Sequence, residues 1–92
     1  MSTPSIEDFL FDDDNEEKIG RHGLTALQLH QVLDNDHVVV PNRRLRRGLY
    51  LVVGRDDGGA IITIPIEPTH DPLLWRPITA WPSTKHEAAR LR

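Results

Sequence analysis

From Gly48 onward the apolar residues change period, and that switch constrains the fold more than any other feature of the chain. Before it, Leu29, Val32 and Leu33 recur at helical spacing; after it, Ile62, Ile64 and Ile66 alternate, the period of a strand with one buried face. Residues 49–54 and 60–66 read as two strands joined by Arg55-Asp56-Asp57-Gly58-Gly59, a loop in which Asp57 and the glycine pair supply positive φ. Pro65 removes one ladder hydrogen bond and belongs where its missing N–H faces no neighbour, or at a bulge. After a loop over residues 67–73, residues 74–80 make a third strand of the meander.

The amino-terminal half has the complementary pattern. Phe9, Leu10 and Phe11 are a short apolar run, long enough for an edge strand and cut off by Asp12, Asp13 and Asp14. Residues 14–22 open with acidic side chains and close with Lys18, Arg21 and His22 before Gly23, the order that suits a helix dipole and a glycine stop. Thr25 with Gln28 makes a capping box for a second helix that ends at Asp34-Asn35-Asp36, with Leu24 as a hydrophobic staple. Val38, Val39 and Val40 are β-prone, but Pro41 limits them to a strand stub or an extended loop. Thr84 and Glu87 cap a last helix running to Arg92. The order β-α-α-β-β-β-α predicts an α+β fold: a small, mostly antiparallel sheet with two N-terminal helices packed on it and a short C-terminal helix.

Ninety-two residues support one core, so residues 1–92 read as a single domain with residues 1–8 as a loose polar lead. The absence of cysteine excludes disulfides, thiolate catalysis and Cys-ligated metal centres. The five histidines form no paired metal-ligand motif, and no cofactor-binding loop is present: Gly54, Gly58 and Gly59 lack the strand-to-helix context of a phosphate loop. No apolar run approaches a membrane span and no basic leader opens the chain, so the cytoplasm is the expected address.

The formal net charge of −3 conceals a polarity: acidic residues dominate up to Asp36, and basic ones dominate after it. Arg43, Arg44, Arg46 and Arg47 fall within five positions, and a run of fixed like charge is relieved by solvent or by an anionic partner. Solvation, an RNA backbone and an acidic protein surface all answer that description. Metal-free RNA cleavage needs a group to take the 2′-hydroxyl proton, an electrostatic clamp on the phosphate and an acid for the 5′-oxygen. The arginines, including Arg55 and Arg76, can supply the clamp, and His22, Tyr50, Lys85, His86 and Glu87 can carry protons.

Three segments together resemble one family. Phe11 to Thr25, with its D-x-x-N-x-x-K-I-x-x-H-G-L motif, is similar to the opening strand and helix of the BrnT-type toxins. Arg46-Arg47-Gly48-Leu49-Tyr50-Leu51-Val52-Val53-Gly54-Arg55 resembles their second strand, and Trp75-Arg76-Pro77-Ile78-Thr79-Ala80 their third. The resemblance covers residues 9 to 91. It implies a RelE-like fold and a metal-independent endoribonuclease toxin neutralised by a cognate antitoxin, with contact to DNA only through that antitoxin. It points to Lys18, His22, Arg55 and Glu87 as catalytic positions; by the chemistry of the residues themselves Arg76 joins Arg55 as a catalytic phosphate clamp, and Arg43, Arg44, Arg46 and Arg47 are expected as RNA contacts. Asp13, Trp81 and Leu91 stand where the family often has an aromatic, an arginine and a tyrosine, which keeps a non-catalytic RNA- or protein-binding module of the same fold as the alternative.

Overall fold

In the computed structural model, which describes residues 3–43 and 48–91, the chain enters the sheet through β1 (Asp8–Phe9). This strand lies slightly earlier and is shorter than the Phe9-Leu10-Phe11 run predicts, because Asn15 claims the carbonyl of Leu10. Helix α1 (Asp13–Arg21) starts at a reciprocal cap: Asp12 Oδ1 accepts the N–H of Asn15 at 2.8 Å, and Asn15 Oδ1 accepts the N–H of Asp12 at 2.9 Å. Helix α2 (Ala26–Asp34) follows after a glycine turn and carries the predicted Thr25–Gln28 capping box.

Residues 37–41, expected as a stub or loop, form a full strand, β2 (His37–Pro41). Pro41 is tolerated because β2 lies at the edge of the sheet, where a missing N–H costs no ladder bond. The hairpin is β3 (Tyr50–Arg55) and β4 (Ile61–Pro68), paired antiparallel with Val52 opposite Ile64. The third strand, predicted over residues 74–80, ends early as β5 (Leu74–Pro77), and a separate two-residue strand, β6 (Trp81–Pro82), follows beyond the predicted span; both are antiparallel to β4. Pro77 stands opposite Ile66 at a position that makes no ladder hydrogen bond, so its missing N–H costs nothing toward β4, and Ile78 carries the same register one step on by giving its N–H to Pro65 O at 2.9 Å. Helix α3 (Lys85–Ala88) is capped by Thr84 and Glu87 as predicted but is only four residues long.

Strand order is β1-β5-β4-β3-β2, with β1 parallel to β5 and the other pairs antiparallel. The sheet is therefore mixed, with both N-terminal helices on one face. On that face Leu29 and Val32 of α2 and Ile19 of α1 meet Val52, Ile62, Ile64, Ile66, Trp75 and Phe9, all buried. Each such side chain removed from water contributes about 1.5–3 kcal/mol. Gly54 permits the close approach of α2: a Cβ there would stand 2.8 Å from Val32 Cγ1 and 2.7 Å from His37 Cβ. On the opposite face Val53 and Thr63 are also buried, because α3 crosses β3 and β4.

Candidate functional site

The alternation of β3 and β4 turns Leu51, Val53 and Pro65 away from the main core and toward α3, where they line a groove of about 620 Å³. Its polar residues come from two directions. Asn42 and Arg43 follow the end of β2, while Trp81, Thr84, His86, Glu87 and Arg90 come from β6 and the α3 segment. Three cationic or ionisable nitrogen side chains, Arg43, His86 and Arg90, thus share one opening with the Glu87 carboxylate.

Glu87 is fixed through one oxygen. Its Oε1 accepts from Thr84 N at 2.9 Å, from Trp81 Nε1 at 3.0 Å and from Thr63 Oγ1 at 3.1 Å, and the Ser83 hydroxyl lies 2.7 Å behind Thr63. Partial burial pushes the Glu87 carboxyl up, but the bonds from Thr84, Trp81 and Thr63 more than offset it and hold the group below its ordinary 4.5. The carboxylate is a fixed anion at neutral pH. A base weakened in this way is poorly matched to proton abstraction, whereas imidazole is suited to it.

Arg76 lies elsewhere and is fully engaged. Its Nε and Nη2 donate to Asp12 at 2.7 and 3.2 Å, Nη1 donates to Glu67 Oε2 at 2.9 Å, and Nη2 also reaches Asp14 Oδ2 at 3.3 Å. Lys18 joins the same network through Asp14 at 3.2 Å. The structure therefore brings Arg76 and Lys18 together, but with three carboxylates, Asp12, Asp14 and Glu67, for two cations. Arg55, exposed at the end of β3, borders a different cavity of about 1040 Å³ whose charged neighbours are Asp34, Asp36, Asp56 and Asp57. His22 caps the C-terminus of α1 and is exposed. Of the catalytic positions implied by the resemblance, Glu87 alone lines the α3 groove, and Arg43 of the arginine run lines it too; Arg44, Arg46 and Arg47 lie outside the described residues. Tyr50 packs edge-on against Trp75, with ring centroids 5.7 Å apart.

Arg90 and Trp81 are the groove residues that sequence reasoning assigned no such role. Arg90 stands four positions after His86, a helical spacing that was visible, but nothing local indicates that α3 lies over the sheet. Among the described residues no group of three or more His, Asp or Glu is placed to hold a metal ion, and no helix is long and apolar enough to cross a membrane.

The arrangement is that of a small α+β protein with N-terminal helices on a mixed sheet and a short C-terminal helix across the other face, consistent with the RelE-like fold class. No family model, curated protein or solved structure matches the chain.

Proposed function

We propose that this protein is a metal-independent endoribonuclease of the BrnT toxin type, held in check by a cognate antitoxin, and that the α3 groove receives its RNA. The observation that carries this reading is the gathering of Arg43, His86, Glu87 and Arg90 around one apolar-floored groove. Arg43 and Arg90 hold the scissile phosphate and meet the charge that grows on its oxygens. His86 takes the 2′-hydroxyl proton as the 2′-oxygen attacks phosphorus, the bond to the 5′-oxygen breaks on the opposite side, and solvent protonates that leaving oxygen. Glu87, fixed by Trp81 and Thr63, adds a negative charge to the same groove that favours the imidazolium. The nucleophile belongs to the RNA, so no metal is required. In this assignment Arg76 holds the start of α1 to the sheet and Lys18 pairs with Asp14 within α1, instead of touching RNA.

Induced expression is expected to slow bacterial growth, and His86→Ala, made as soluble folded protein, is expected to relieve the effect. The non-catalytic alternative has an observation of its own, since Glu87 is already committed to three internal donors. Wild-type protein that binds RNA but leaves growth unaffected would favour that binding module.

A further inference from the structure

The outer edge of β2 is the one place where the fold leaves a regular strand of five residues without a neighbour among the described residues. Edge strands are ordinarily blunted by lysines, bulges or short length. This one reads His37-Val38-Val39-Val40-Pro41, and Pro41 is its single guard. Asn42 N–H donates to Leu49 O at 3.0 Å, beside the Pro41–Tyr50 pair. Antiparallel alternation then turns the peptide groups of Val38 and Val40 toward β3 and those of His37, Val39 and Pro41 outward.

The two ends of this edge carry opposite charge. At the His37 end stand Asp34 and Asp36, both exposed, with Asp56 and Asp57 outnumbering Arg55 across the same cavity; at the Pro41 end stands Arg43, with Arg90 across the groove outweighing Glu87, whose carboxylate is taken up by internal donors. A strand that is acidic at one end and basic at the other is complementary to itself when turned antiparallel. We propose that β2 pairs with β2 of a second copy of this chain, forming a twofold dimer with one continuous sheet and Val39 opposite the partner's Val39. In that register His37 faces the partner's Pro41, and about four inter-chain hydrogen bonds form, the proline forfeiting one at each end. Asp34 and Asp36 of each copy come beside Arg43 of the other. An isologous contact of this kind closes on itself and does not propagate into a filament. Arg43 also borders the groove assigned to RNA, so the dimer is tested with RNA absent, and its outcome is separate from that of the ribonuclease reading.

The test is sedimentation equilibrium over a concentration series at low and high salt. Wild-type mass is expected to climb from 10.5 kDa toward twice that value as concentration rises, with association weakened about tenfold by high salt. Asp34→Arg/Asp36→Arg and, separately, Arg43→Asp are each expected to remain monomeric, because like charges then meet at both ends. An equimolar mixture of the two variants is expected to recover the dimer, since every contact in the mixed pair is again between opposite charges. Hydrogen exchange on the wild type gives a readout free of substitutions: the His37 and Val39 amides slow as concentration rises. Wild-type protein that stays at 10.5 kDa throughout, variants that fail to recover on mixing, or His37 and Val39 amides indifferent to concentration would overturn the proposal.

Discussion

Arg76 Nε donates to Asp12 Oδ2 at 2.7 Å, and this bond ties β5 to the N-cap of α1 across 64 positions of sequence. The same guanidinium bonds Glu67 on the neighbouring strand, so one side chain joins a helix start to two strands. Arg76→Ala is expected to lower the melting temperature by about 5 °C or more. Arg76→Lys restores little, since a point charge cannot replace the planar fork that serves Asp12 through two nitrogens. Thermal unfolding followed by circular dichroism measures both.

The carboxylates of this protein make it sensitive to acid. Asp12 is held below its ordinary 3.8 first by the Arg76 hydrogen bond, Asp14 first by Lys18, and Asp56 first by Gln28. A carboxyl whose pKa is lower in the folded state binds its proton more readily when unfolded, so it stabilises the fold above the unfolded value and ceases to do so as pH falls through the folded one. Arg76 stays charged throughout, its own pKa raised by Asp12 despite the opposing effect of burial. The melting temperature is expected to be nearly level near neutrality and to drop below about pH 4. In Arg76→Ala the drop is shallower. An equally steep acid transition in that variant would show that the Arg76 network does not govern it.

Asn15 is completely buried, and its amide nitrogen donates to Leu10 O and Pro77 O, each at 2.9 Å. Asn15→Leu leaves two carbonyls and the Asp12 N–H without their partner and is expected to cost about 2–4 kcal/mol in urea unfolding. The isosteric Asn15→Asp fails as well, because it keeps the acceptor and loses the donor.

Gly54→Ala is expected to cost about 1–3 kcal/mol, since its Cβ would press on Val32 and His37 and push α2 off β3. Equilibrium unfolding measures it, and a stability within error of wild type would contradict the packing described for α2.

These residues also separate what the sequence discloses from what it conceals. The Thr25–Gln28 and Thr84–Glu87 boxes are legible because both partners lie within one helical turn. The β3–β4 hairpin is legible because its period and its turn glycines are local. Asn15 reads only as a polar residue opening a helix; its bond to Pro77 spans 62 positions and exists only in the folded chain. Pro41 makes β2 look shorter than it is, because a proline is costly inside a sheet and cheap at its edge. The groove was least visible of all. Arg43 and Arg90 lie far apart in the sequence and meet only because α3 folds back over β3 and β4.

The measurement that tests the central claim most directly is cleavage of mixed-sequence single-stranded RNA in excess EDTA. The α3 groove predicts products with 2′,3′-cyclic phosphate ends and full resistance of 2′-O-methyl RNA. It also predicts rates lowered at least about tenfold in His86→Ala and Arg90→Ala, and an Arg55→Ala variant that cleaves like wild type. Folded wild-type protein that leaves RNA intact, cleavage that demands magnesium, or His86→Ala and Arg90→Ala variants as fast as wild type would contradict it.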